Sequence, residues 1–197
     1  MVKTVRLARR AEKSLRKVTR AVLDAADLWR GLVEEHGIHV VQKIATFRDH
    51  SLVGKLRKSG IRSVSLSYGY RLYYRIMPGH VEYVLIEEHI IMITKKSKGS
   101  SAAEFFEKSR GGPLTFGAAL AGVRHVEGLS QVEFAKKLRV STAHLCDLEK
   151  GRRFVSAERA AALAKRMGHP QAYWVKLAIQ DQIDHAGLKL KVEVVAA

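Results

Sequence analysis

The period of the hydrophobic positions changes several times along this chain, and each change marks a different kind of element. Residues 3–7 alternate and include β-branched side chains, which predicts an opening strand. From Arg9 to His36 the apolar positions Leu15, Val18, Val22, Leu23, Ala26, Trp29 and Val33 recur at helical spacing. With Gly31 as the one breaker inside and Gly37 as a stop, this stretch predicts two helices or one bent helical hairpin. A period near two then returns in three runs, residues 63–68, 70–77 and 81–87. Gly69 and Pro78-Gly79 connect them so tightly that the strands must form antiparallel hairpins. The first half thus predicts an α+β domain, two helices on a small antiparallel sheet.

Residues 95–113 break the pattern, with Lys-Lys-Ser-Lys-Gly-Ser-Ser and Ser-Arg-Gly-Gly-Pro bracketing a short stretch that holds Phe105 and Phe106. The division predicted is a domain at residues 1–96, a linker at 97–113 and a second domain at 114–197. Ser101 can cap a turn or two of helix inside the linker, and two adjacent phenylalanines must dock on one of the domains. Beyond the break the pattern is helical until Leu188, Leu190, Val192 and Val194 alternate with Lys189, Lys191 and Glu193. That alternation predicts a short C-terminal β-strand, which would have to pair with another chain or with the edge of the first domain's sheet.

Within the second half, Ser130 and Glu133 have capping-box spacing ahead of the apolar residues Phe134, Ala135 and Leu138. A brief turn at Arg139-Val140 follows, and Ser141 can cap a second helix that carries Leu145 and Leu148 inward and ends at Gly151. Two short helices joined in this way let one brace while the other enters a major groove, a helix-turn-helix. The run SQVEFAKKLRVSTAHLCDLEKGRR resembles the Cro/repressor (XRE) family, with flanking helices at residues 115–125 and 156–167 and with Arg139 where that family usually carries glycine. The resemblance implies that Gln131 binds a backbone phosphate and that Thr142, Ala143 and Asp147 read base edges, Ala143 against a thymine methyl. Ser141 caps the reading helix, while His144, Lys150, Arg152 and Arg153 fall to phosphate contacts. A single unit binds weakly, so a homodimer on a palindromic double-stranded operator is expected.

Charge changes the picture of the first half. The chain of 197 residues has a net charge of +16, which points to a polyanionic partner. Residues 1–98 hold 20 Lys and Arg against 9 Asp and Glu (+11), and residues 99–197 hold 15 against 10 (+5). The greater excess lies outside the DNA-binding half. On the run at residues 70–77, alternation separates Tyr70, Leu72, Tyr74 and Ile76 from Arg71, Tyr73 and Arg75, two arginines around a tyrosine that suit a phosphate and a stacked base. Lys55, Arg57, Lys58 and Arg62 add charge nearby. Cys146 is the one cysteine, so neither an internal disulfide nor a cysteine metal site is expected, and no metal or cofactor is implied. The absence of a long apolar run predicts a cytoplasmic protein without membrane contact.

Three segments of the first half, FRDHSLVGKL at 47–56, SYGYRLYY at 67–74 and VEYVLIEEH at 81–89, resemble the RelE/ParE toxin superfamily, HigB-type toxins in particular, over residues 2–95. That resemblance implies a metal-independent endoribonuclease acting on mRNA at the ribosome, in which a 2′-hydroxyl attacks the adjacent phosphate. Arg71 would stabilise the transition state, flanked by Tyr73 and Arg75, and His89 or His50 would move protons. RelE-type enzymes place two lysines where this chain has Ser63 and Ser65, which leaves open whether the domain is catalytic. A HigB-like part followed by a HigA-like, Cro/repressor-type part implies a natural toxin–antitoxin fusion that represses its own gene. The competing reading is a transcriptional regulator whose catalytically degenerate first domain serves dimerisation or ligand response. A third is a ParE-like inhibitor of a topoisomerase.

Overall fold

The computed structural model of the protein describes residues 2–52, 60–67, 69–88 and 102–194. Strand β1 (Val5–Leu7) leads into helices α1 (Arg9–Leu15) and α2 (Arg20–His36), a single turn α3 (Ile38–Val41) and a 3-10 turn at Ala45–Phe47. Strands β2 (His50–Ser51), β3 (Ile61–Ser65), β4 (Tyr70–Met77) and β5 (His80–Glu88) complete a five-stranded sheet of order β1-β5-β4-β3-β2. It is mixed: β1 lies parallel to β5, with Val5 opposite Val81, and the other pairs are antiparallel. The α+β expectation holds, with the two-residue β2 as an addition too short to leave a pattern. The predicted strand at 63–68 starts and ends earlier, because Leu66 N–H and Ser67 N–H both bond Tyr70 O and Ser67 Oγ accepts from Tyr70 N–H, which closes the turn.

Between α1 and α2 the helix breaks after Leu15 and restarts at Arg20, and α2 runs straight through Gly31. Gly31 serves close approach there: a Cβ would stand 2.1 Å from Tyr173 Oη. Helix α2 covers the sheet with Trp29, whose ring lies 4.8 Å from that of Tyr74 and 5.6 Å from that of Tyr83. Tyr83 Oη–H donates to Ala26 O at 2.9 Å, so the one polar atom of a buried ring is satisfied.

Helix α4 (Ala102–Arg110) fills most of the predicted linker, and its phenylalanines dock on the first half as expected. Phe106 is fully buried with its ring edge-on to Tyr83, and Phe105 packs edge-on to Phe106. Ser101 lies outside the described residues. Arg110 ends the helix inside the protein, donating from Nε to Asp24 Oδ1 at 2.7 Å and from Nη2 to Asp27 Oδ2. Arg30 also donates to Asp27 Oδ1, at 2.5 Å, and Arg20 Nη1 to Arg110 O at 2.9 Å. Buried charges are tolerated when each hydrogen-bonding site is filled in this way.

The second half is helical: α5 (Phe116–Glu127), α6 (Gln131–Leu138), α7 (Thr142–Glu149), α8 (Ala157–Met167) and α9 (Gln171–His185). Helix α5 lies directly on α2, where a Cβ on Gly122 would be 3.3 Å from Ala25 N and 3.4 Å from its Cα. Tyr173 and Trp174 of α9 are buried, Tyr173 over Gly31 and Trp174 edge-on to Phe116. One hydrophobic cluster consequently runs from Leu7 and Trp29 through Leu120 and Val123 to Leu163 and Trp174.

The predicted C-terminal strand is not formed among the described residues, which end at 194. Residues 188–194 have no regular secondary structure; Leu188 and Leu190 stay 52% and 59% exposed. The side chain of Gln180 holds the segment, donating to Leu190 O at 2.9 Å and accepting from Val192 N–H at 2.8 Å. Alternation could not report the absence of a pairing strand.

His169, in the turn before α9, ties the halves together. It is buried, accepts from Trp174 Nε1–H at 3.3 Å, stands 3.3 Å from Thr46 Oγ1 and packs beside the Phe47 ring. Burial, aided by Lys137, lowers its pKa to about 4 from 6.5. The unfolded chain therefore binds the extra proton between those values, and stability contributed by neutral His169 is complete above pH 6.5 and lost as pH falls toward 4. Asp181, raised by burial to about 6, acts in the opposite sense, so the comparison must be between variants. His169→Gln keeps an acceptor for Trp174 and removes the titration; between pH 6.5 and 4 it should lose about 3 kcal/mol less stability than the parent in urea unfolding. An identical pH dependence in the two proteins would contradict the assignment.

Candidate DNA-reading surface

The second half builds its outer surface from three helix starts. Ser130 and Glu133 form a complete capping box on α6: Ser130 N–H donates to Glu133 Oε2 at 2.8 Å and Glu133 N–H to Ser130 Oγ at 3.3 Å. Ser141 caps α7 by accepting from His144 N–H, and Ser156 caps α8 by accepting from Arg159 N–H. Phe134, Ala135, Leu138, Leu145 and Leu148 turn inward. Helix α7 packs on α5 so closely that a Cβ on Gly117 would stand 2.2 Å from Leu148 O. The α6–α7 turn is closed by Val140 N–H bonding Ala135 O, with Arg139 in the left-handed region at φ 52°.

These are two short capped helices at a fixed angle, braced by a helix before and a helix after. Residues 115–172 match the family described as a helix-turn-helix domain. This region is a helix-turn-helix domain. Such a domain implies DNA binding. No curated protein and no solved structure matches the chain.

On α7, the second helix of the helix-turn-helix pair, Ser141, Thr142 and Ala143 are exposed at the N-terminal end, free of the core. Asp147, one turn further on, is engaged: Arg152 donates to its Oδ1 from Nη2 at 2.6 Å, and Arg153 Nε lies 3.3 Å from Oδ2. The two arginines hold its carboxyl below the ordinary range. An Asp147 so occupied positions Arg152 and Arg153 and can accept from a base only by exchanging a guanidinium. His144 has its Nε2 buried without a hydrogen-bond partner among the described residues, and burial together with Arg159 and Arg153 lowers its pKa, which favours the neutral ring. Lys150 caps the C-terminal end of α7 and is exposed. A concavity of about 420 Å³ joins Ser141, Ala143, His144, Asp147, Arg153 and Arg159. Arg159 was not legible as a site residue, because it sits in the next helix; its one signal is the Ser156 cap that sets its position.

Gln131 begins α6 as expected, but its amide is fixed from within the protein. Gln131 Nε2 donates to Glu149 Oε2 at 2.8 Å, and Arg124 holds the same carboxylate from Nε at 2.6 Å and Nη2 at 3.0 Å. This chain from α5 through α7 to α6 sets the amide's orientation before any ligand arrives.

The residues singled out in the first half do not gather into an open basic face. Arg75 is bound to Glu82 at 2.6 Å, and Tyr73 is buried beside Ile61 and Leu85, its hydroxyl raised above the ordinary pKa by burial. Strand β4 keeps its alternation, with Tyr73 on the face of Arg71 and Arg75 as expected. That face is not open at Tyr73, because Val84, the extra residue of a β-bulge in β5, clusters there with Ile61, Tyr73 and Leu85 under Leu52. His50 is exposed in β2, with Nδ1 2.9 Å from Arg48 O. His89, Lys55, Arg57 and Lys58 lie outside the described residues. Asp49 and Arg62 serve the fold, since Asp49 accepts from Arg62 Nε at 2.8 Å and from Tyr74 Oη–H at 2.5 Å. Ser63 and Ser65 are buried within the sheet.

A non-glycine residue in the left-handed region costs about 1–2 kcal/mol, of which glycine's greater backbone entropy in the unfolded chain returns part. Arg139→Gly should therefore stabilise the protein by about 0.5–1 kcal/mol, a rise in Tm of a few degrees by calorimetry. An unchanged or lower Tm would show that Arg139 makes compensating interactions in the turn.

Proposed function

We propose that the protein is a transcriptional regulator that binds a palindromic operator as a homodimer, with the first half an integral platform for the helix-turn-helix domain. The observation that carries this reading is the single core: α2 and α5 meet through Ala25 and Gly122, and Tyr173 fills the space over Gly31. Separable partners bury a surface that each can expose alone. Here Tyr173, buried against Gly31, and His169, buried beside Phe47, would both be uncovered by separation. In this reading Thr142 and Ala143 contact base edges, while Gln131, His144, Lys150, Arg152, Arg153 and Arg159 take phosphates.

A second reading, the toxin–antitoxin fusion with a RelE/HigB-like endoribonuclease half acting on mRNA, draws support from one observation. Arg71 Nη1 is buried without a partner on the sheet, in a cleft also walled by Val126, Glu127 and Gly128 of the helix-turn-helix half, as a blocked site would be. The regulator reading stands ahead of it because Tyr73 and Arg75 are engaged within the first half.

A gel shift with the promoter region of the protein's own gene tests the DNA binding that both readings share, and cleavage of mRNA that depends on Arg71 is the result that separates them. The regulator should shift that DNA at low salt; Thr142→Ala should weaken specific binding by about 1–3 kcal/mol, and Arg153→Ala should reduce the salt slope by about 1 without changing sequence preference. Absence of a shift at low salt, or indifference to Thr142→Ala and Gln131→Ala together, would remove the groove assignment. Full-length protein incubated with mRNA should leave it intact; cleavage that disappears in Arg71→Ala would instead establish the fusion reading.

A further inference from the structure

The cleft at the seam of the two halves holds a set of donors that the fold itself does not use. Arg48, Ser65, Ser67 and Arg71 line it from the first half, and Val126, Glu127 and Gly128 from the end of α5. Its volume of about 490 Å³ lies in the range of small-molecule sites. Arg71 Nη1 is buried and has no hydrogen-bond partner among the described residues, although such a donor is costly to leave unpaired. Its cross-strand neighbours are Ser65 and Glu87, and the Glu87 carboxylate lies 3.8 Å from Arg10 Nη2. Arg48 holds a left-handed backbone at φ 45°, a conformation that favours glycine.

The opposite wall is prepared for an anion in spite of its acidic residue and its place at a helix C-terminus. Lys137 Nζ reaches both oxygens of Glu127 at 2.6 Å, and Thr46 Oγ1 donates to Oε1 at 3.2 Å. The carbonyls of Arg124 and His125 are capped by Leu129 N–H and Gly128 N–H. What remains facing the cleft is two guanidinium-bearing residues and two hydroxyl-bearing ones, a donor set matched to a phosphate.

We propose that this cleft binds a small phosphate-bearing ligand of mononucleotide size, its phosphate held by Arg71 and Arg48 and assisted by Ser65 and Ser67. Because residues 126–128 belong to the helix that leads into the DNA-reading pair, occupancy joins the sheet to the helix-turn-helix domain. That regulatory consequence rests on the regulator reading; the site does not. A wall contributed by α5 favours a ligand that fits inside over a nucleic-acid strand that must pass through.

Isothermal titration of the full chain with adenosine 5′-monophosphate, with inorganic phosphate and with unphosphorylated adenosine tests the proposal. The two phosphate-bearing probes should bind saturably and compete, and adenosine should not bind. A tighter nucleotide assigns a nucleotide site; equal affinities assign a phosphate site. Arg71→Gln should weaken binding about tenfold or more, and Arg48→Asn, which tolerates the same backbone, several-fold, while Lys165→Gln, exposed on α8 outside the cleft, leaves it unchanged. Arg71→Gln should keep the parent Tm, since the lost Nη1 had no protein partner; if it does not fold, Arg71→Lys and Arg48→Asn decide by the same readout. No binding at millimolar concentrations, binding indifferent to these variants, or binding of single-stranded RNA alone would overturn the site. Retained phosphate binding with no operator shift would strike the regulator reading only, and the reverse outcome the cleft only.

Discussion

The close crossing of α2 and α5 is the contact on which the rest of the molecule depends. It is made possible by small residues, Ala25 on one helix and Gly122 on the other, which let the two backbones approach nearly to contact. Around it lie the larger side chains that such an approach traps: Trp29 below, Leu120 and Val123 beside it, Tyr173 and Trp174 above. Arg110 closes the same region electrostatically, its guanidinium sunk between Asp24 and Asp27 of α2. A larger residue at position 122 would push the helices apart, and every contact beyond them would loosen together.

Fixing α5 also fixes helices α6 and α7, because α5 carries their supports. Gly117 admits the backbone of α7, and Arg124 grips Glu149, which in turn orients Gln131 at the start of α6. The path from Ala25 to Gln131 therefore passes through packed backbone and charge-assisted hydrogen bonds. Val126 to Gly128, at the end of the same helix, form one wall of the cleft that contains Arg71. One element thus touches the sheet, the cleft and the helix-turn-helix pair.

The helical half was legible residue by residue, since caps, apolar spacing and the turn at Arg139-Val140 are local features. Ser130 and Ser141 cap their helices, as the spacing implied, and Ser156 caps the flanking helix in the same way. The α+β class of the first half was legible for the same reason, through alternation and tight turns. Three things were not. Gly31 read as a breaker because close packing with Tyr173, 142 residues distant in sequence, leaves no local mark. The faces of β4 alternate as expected, but the burial of Tyr73 was hidden, because it comes from Ile61 of β3 and from Val84 and Leu85 at a bulge in β5. The segment near the C-terminus alternates like a strand in sequence, but it forms no ladder and is tied instead by two hydrogen bonds to the Gln180 side chain. In each case the missing information was the identity of a distant partner.

If α2 and α5 join the halves into one body, the chain must unfold as one body. Differential scanning calorimetry of the full chain without ligand or DNA tests this directly. A single transition whose calorimetric and van't Hoff enthalpies agree is the expected result. Two resolved transitions, with the helix-turn-helix domain melting apart from the sheet, would contradict the account.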